Sequence, residues 1–122
     1  MQLCAAVPGG RHVLAEKERK MQRQEYQLSL GKATTLLGRP WTLLILDALA
    51  DSPCRFTELA GRLPGISTNL LTERLRQLQV FEIVERDTGS MPHFVITYRL
   101  SKLGAQLEPI IGETAAWGSR LP

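Results

Sequence analysis

From Pro40 to Gln79 the apolar residues recur in steps of three and four, the spacing of one face of an α-helix. Trp41, Leu44, Ile45, Ala48 and Leu49 form the first stripe and predict a buried helix over "PWTLLILDALAD". Pro40 suits its first turn, where the missing N–H costs nothing, and "DSP" stops it. Phe56, Leu59, Ala60 and Leu63 form the second stripe, from Arg55 to about Leu63, ended by Pro64 and Gly65. Leu71, Leu75 and Leu78 form the third, on a helix that Ser67 can cap and that runs to about Gln79. At about 100° per residue, Asn69, Thr72, Glu73 and Arg76 fall on the opposite side of that helix.

The period then changes. "EIVERD" (Glu82–Asp87) reads as a short strand, "TGSMP" as a turn, and the β-branched and aromatic "HFVITYRL" (His93–Leu100) as a second strand, together a hairpin. A last helix is predicted from Lys102 to about Gly118, carrying Leu103, Leu107, Ile110, Ile111, Ala115 and Trp117 and bent at Pro109. Upstream, a short helix is predicted near Lys32–Leu37, ending at Gly38. Before it, "VLAEKERKMQRQEYQL" reads as a polar helix whose apolar positions Val13, Leu14, Met21 and Leu28 are too sparse for a core stripe. It is either frayed or packed on a partner subunit. The domain plan is therefore a basic N-terminal extension over residues 1–27, helical or disordered, and one folded domain over residues 28–122. Met21 offers an alternative natural start.

Two amphipathic helices joined only by "PGIS", followed by a hairpin, predict a mainly α fold with a small β-hairpin: a winged helix-turn-helix. The tight link braces the second helix so that it can lie in the major groove of double-stranded DNA. Ser67, Thr68, Asn69 and Thr72 are short and polar enough to approach base edges, and Arg76 or Arg74 can reach a phosphate or a guanine. Free N–H groups at the helix start favour a phosphate. The competing reading is a helical interaction module that binds protein rather than DNA, with "STN" as a plain cap and Arg55 and Arg62 as solvated surface residues.

Composition narrows the classes without choosing between these. Apolar residues make up 43% of the 122 and charged residues 22%, an ordinary soluble mix, with no apolar run of membrane-spanning length and no signal peptide. A cytoplasmic location is expected, with no membrane partner. Cys4 and Cys54 cannot form a disulfide framework, and with His12 and His93 they lack zinc-type spacing, so no metal or cofactor is expected. No Ser/His/Asp set, carboxylate pair or phosphate loop argues for an enzyme. Residues 1–25 hold five Lys/Arg and three Glu, leaving ten basic and nine acidic residues in the rest, which is nearly neutral. Bulk charge thus supports nucleic-acid binding only weakly; the arrangement of cations must carry it.

Six ordered segments, "LLGRPWTLLILDAL", "RFTELAGRLPGIS", "LLTERLRQL", "VER", "YRLSKLG" and "LEPIIGETAAWG", resemble the HxlR-type family of bacterial winged-helix transcriptional regulators. The resemblance implies a homodimer on an inverted-repeat operator, acting as repressor or activator, joined through the N-terminal helix region and the last helix. It implies a phosphate contact for Arg55, a DNA-reading face of Ser67, Thr68, Asn69, Thr72 and Arg76, a core role for Trp41, and a dimerising set of Leu107, Ile110, Ile111 and Trp117. Within that set, Ile110 is equally suited to covering the monomer core. A small-molecule effector is left open.

Four departures from the family pattern stand out. Redox-responsive members carry a cysteine where this chain has Leu28. Cys54 stands where a basic residue is usual, directly before the bracing helix, as a candidate redox group or a small helix-boundary residue. The wing has Val95 in place of an Arg, with His93 as a weak substitute, and Glu82 replaces the glycine expected between the DNA-reading helix and the first strand. Weaker or more salt-limited DNA binding is expected from these changes.

Overall fold

The computed structural model describes residues 16–90, 92 and 94–122, with side chains from Gln22 onward. Cys4, His12 and the Pro8–Gly10 break, like Met91 and His93, lie outside the described residues. Helix α1 runs unbroken over Glu16–Leu37, where a separate helix from Lys32 was predicted. Gly31 lies at the expected break, and nothing sits within 4 Å of its virtual Cβ. A single solvent-facing glycine lowers helix propensity by about 1 kcal/mol and need not end a helix. Residues 22–35 are all exposed, Leu28 and Leu30 included. The Thr34 and Thr35 hydroxyls donate to carbonyls one turn back, each at 2.8 Å. The chain divides into two units between Thr35 and Leu36, so residues 28–35 belong with the upstream unit.

The second unit holds α2 (Thr42–Asp51), α3 (Phe56–Arg62), α4 (Thr68–Val80), β1 (Val84–Asp87), β2 (Thr97–Leu100), α5 (Lys102–Ala105) and α6 (Glu108–Gly118). This is a winged helix-turn-helix. Ile45, Leu46, Leu59, Leu71, Leu75 and Leu78 are fully buried, one stripe each from α2, α3 and α4. Burial of each such side chain stabilises the fold by roughly 1.5–3 kcal/mol relative to exposure. Among the described residues no helix is long and apolar enough to cross a membrane.

Two helix boundaries differ from the sequence reading. Helix α2 starts at Thr42, not Pro40, because Trp41 takes a left-handed φ of +76° that no helix can continue. Its inner face is consequently Thr42, Ile45, Leu46 and Leu49, and Leu44, expected inside, is exposed. The last helix does not bend at Pro109 but breaks before it, into α5 and α6. Pro109 lies in the first turn of α6, where its missing N–H leaves no intrahelical bond unmade.

Strands β1 and β2 pair antiparallel, Glu85 opposite Arg99 and Arg86 opposite Tyr98. The hairpin is shorter than predicted, leaving Phe94, Val95 and Ile96 exposed outside it. The Asp87 carboxylate accepts from Gly89 N at 2.8 Å, and Gly89 turns at φ +77°, which ends β1 and removes the partner those residues would need. On its other edge β2 meets Cys54: Tyr98 N donates to Cys54 O at 2.7 Å and Cys54 N to Tyr98 O at 3.0 Å.

The chain leaves α4 through a turn that a glycine normally makes. Glu82 adopts φ +60°, Ile83 N reaches back to Leu78 O at 2.9 Å and Glu82 N to Gln79 O at 2.9 Å. That is a Schellman ending with its apolar pair, Leu78 and Ile83, both buried. Ser101 holds it from outside, its hydroxyl donating to Glu82 O at 2.6 Å. The local turn is thus kept despite the missing glycine, at the conformational cost of a side chain in left-handed space. Glu82→Gly is expected to stabilise the protein by about 0.5–1 kcal/mol, part of the relief being offset by glycine's freedom in the unfolded chain. Thermal unfolding checks this; an unchanged or lowered midpoint would show that Glu82 carries no strain.

Candidate nucleic-acid interface

Helix α3 is opened by Arg55, whose backbone N–H donates to Glu58 Oε1 at 2.7 Å. That bond is the main reason the Glu58 carboxyl is held below the usual carboxylate range, with the Arg55 charge adding to it. A lowered value means the capping interaction is present at neutral pH and is lost only as acid protonates Glu58. The Arg55 guanidinium is exposed, 3.6 Å from the same carboxylate. It faces water and can still reach a phosphate.

Arg62 is not an ordinary solvated residue. It donates to Ala48 O at 3.0 Å and to Asp51 Oδ2 at 2.9 Å, tying the end of α3 to α2. The link to α4 is as short as the sequence implies. Ile66 N donates to Leu63 O at 3.1 Å, Gly65 turns at φ +96°, and Ser67 Oγ caps α4 by accepting from Leu70 N at 3.1 Å.

From that cap, Ser67, Thr68, Asn69, Thr72, Glu73 and Arg76 all face solvent, while Leu71, Leu75 and Leu78 of the same helix are buried. Arg74 departs from the expectation that it reaches DNA. Its side chain is 8% exposed, and Nε donates to Pro40 O at 2.9 Å. In helical phase it flanks the inward stripe, about 40° beyond Leu78 and 60° from Leu71, so its side chain is held against the fold rather than along the exposed face.

On the wing, His93 lies outside the described residues. Arg99 is neutralised by Glu85 at 3.0 Å and Asp87 at 3.2 Å. Arg86 is exposed, with no ion pair among the described residues, and it is the wing cation that the sequence reading overlooked. Strand alternation was the available signal: Arg86 sits one residue from both Glu85 and Asp87, on the opposite face of a two-residue period.

Two further expectations change. Cys54, considered as a redox group, is 3% exposed, and its Sγ donates to Ser52 O at 3.4 Å. A reactive thiol needs access that this backbone-bridged position denies. Of the four residues expected at a dimer face, Ile111 is buried in the monomer core and Leu107 packs against that core. Ile110 and Trp117 are 49% and 58% exposed. Residues 107 and 111 are four apart and share the core-facing side; 110 and 117 lie on the outer side, with Pro109, Glu113 and Thr114 around a shallow groove.

The model of a family described as HxlR-like helix-turn-helix matches residues 36–121. The HTH-type transcriptional regulator YodB of Bacillus subtilis is 38% identical over 91 residues, which are 75% of this chain and 81% of that protein. The crystal structure of quinone-bound YodB superposes with a TM-score of 0.65, covering 76% of this chain and 98% of that one. The redox regulator HypR in its reduced form superposes with a TM-score of 0.69 at 27% identity, covering 75% and 90%.

Proposed function

The chain belongs to the HxlR-like helix-turn-helix family of transcriptional regulators, and we propose that it binds double-stranded DNA as a homodimer on an inverted repeat. The family is not one of enzymes. The reading is carried by α4: a helix whose apolar face is fully committed to the core and whose opposite face is a run of exposed Ser67, Thr68, Asn69, Thr72 and Arg76. Asn69 suits the donor–acceptor edge of adenine, and Arg76 a guanine or a phosphate. Arg55 and Arg86 supply backbone contacts from the bracing helix and the wing. Ile110 and Trp117 supply the apolar surface that a second copy covers, and an inverted repeat read by two α4 helices has its half-sites about one DNA turn apart, roughly 34–36 Å. A cytoplasmic site of action follows from that role. YodB has been seen with quinone bound; in this chain position 28 is a leucine and Cys54 is buried, so neither of these two positions offers an accessible thiol.

Genomic DNA selected on the purified protein at about 150 mM salt should yield an enriched inverted repeat. On that duplex, Asn69→Ala is expected to lose about 1–3 kcal/mol and to relax preference at one base pair. Arg55→Ala is expected to weaken all sequences alike and to lower the salt slope by about 1. Absence of enrichment from a folded dimer, or two variants that behave like wild type, would favour the protein-interaction module instead.

A further inference from the structure

Arg74 is a buried charge on the helix proposed to read DNA, yet its side chain is held against the fold rather than along the exposed face. Nη1 reaches Glu73 Oε2 at 3.3 Å and Gln77 Oε1 at 3.4 Å, both on α4, so these bonds tie the helix only to itself. The Nε bond to Pro40 O, at 2.9 Å, is different: it joins α4 to the corner that leads into α2. In that corner Trp41 holds φ +76°, a conformation bulky residues rarely adopt. The φ of Trp41 sets the plane of the Pro40–Trp41 peptide, and with it the direction of the Pro40 carbonyl. The Trp41 ring also lies beside Gly65, with Cη2 3.8 Å from the position a Cβ would occupy there. One corner therefore holds the DNA-reading helix twice, at the turn that leads into it and about two turns along.

Stability alone does not call for an arginine here. Apolar replacements of buried charged groups are often neutral or better. The Leu71, Leu75 and Leu78 stripe holds α4 down, but apolar contacts are non-directional and set the rotation of a helix less sharply than a hydrogen bond does. A hydrogen bond is directional and resists rolling of the helix. We propose that Arg74 is a positioning residue: through the Pro40 carbonyl it fixes the rotation of α4 about its axis, and so the direction in which Asn69, Thr72 and Arg76 face a duplex. The geometric part stands on its own; its consequence for binding rests on the DNA-reading function proposed above.

Residual dipolar couplings of backbone amides test the geometry without DNA. In Arg74→Met, which keeps a long stem and removes the donors, the α4 couplings should cease to fit the wild-type orientation while those of α2 and α3 still do. Arg74→Lys, with one donor able to reach Pro40, should restore much of the fit; Arg74→Asn, polar but one carbon too short to place a donor where Arg74 Nε stands, replaces the Met variant if that fails to fold. On a duplex selected by wild type from a random library, Arg74→Met should lose about 10- to 100-fold in affinity. It should lose little on a random-sequence duplex, with an unchanged salt slope because no phosphate contact is removed. Wild-type-like α4 couplings with unchanged discrimination would overturn the proposal, as would a salt slope lowered by about 1, the mark of a phosphate contact. If wild type selects no duplex, the DNA-reading function fails, and the couplings still decide whether Arg74 orients α4.

Discussion

Ile111→Glu should unfold the protein's body at temperatures where wild type is intact. Ile111 is 9% exposed, in the cluster that includes Ile45, Leu46 and Leu49 of α2. Truncating a core isoleucine costs about 2–5 kcal/mol, and a carboxylate placed there without a partner adds its desolvation. A loss of about 4 kcal/mol or more is expected, read as a drop in the thermal midpoint and in the denaturant concentration at half-unfolding. Trp117→Glu, on the outer side of α6, is the informative partner. It should leave a folded chain and, if Ile110 and Trp117 form the dimer face, halve the mass measured at micromolar concentration. The two substitutions thus separate the two faces of α6. A folded, stable Ile111→Glu protein would show that the inner face is misassigned, whereas a Trp117→Glu protein that stays dimeric would remove the outer face from the assembly.

Gly104→Ala is the second large effect, and its sign runs against helix propensity. An alanine in a helix is ordinarily favoured over glycine by about 1 kcal/mol. At Gly104 a Cβ would overlap the Ile83 carbonyl oxygen and meet Ile83 Cγ2 at 3.2 Å. That oxygen also accepts from Ser101 N at 2.9 Å, and Ser101 Oγ caps α5 through Gly104 N at 3.0 Å. The neighbour is backbone, held by its own bonds, and cannot swing aside as a flexible side chain would. A loss of about 2–3 kcal/mol is expected, in the range of overpacked cores. Gly112→Ala supplies the contrast, because nothing lies within 4 Å of its virtual Cβ and α6 is solvent-facing there. It should stabilise by about 0.5–1 kcal/mol. Thermal midpoints that move in the same direction for both variants would contradict the close approach of α5 to the α4–β1 turn.

How much of the interface could be read without coordinates differs from residue to residue. The exposure of Asn69, Thr72 and Arg76 followed from the Leu71, Leu75 and Leu78 stripe, since a helix that commits one face must offer the other. The Ser67 cap followed from a small hydroxyl residue placed after Pro64 and Gly65. Arg74 did not follow, although its phase beside the leucines pointed inward. An arginine is ordinarily read as a surface residue, and the group that makes its burial tolerable, the Pro40 carbonyl, lies 34 residues away. Ile110 and Ile111 are adjacent and equally apolar, so composition could not assign them; the assignment came from the break before Pro109, which sets the phase of α6 against α2.

Apolar periods and turn residues were sufficient for the order of elements from α2 to β2, the tight α3–α4 link, the hairpin after it and the exposed polar face of α4. These features depend on residues a few positions apart, whose preferences act on the local backbone. The rolled-in Arg74, the left-handed Glu82 and Trp41, the glycine needed at position 104 and the choice of Ile111 over Ile110 for the core were settled only in the folded chain. Each depends on one atom meeting another from a distant segment, a carbonyl of Pro40 or Ile83 or a side chain of α2. No local propensity encodes which distant atom arrives at a given place.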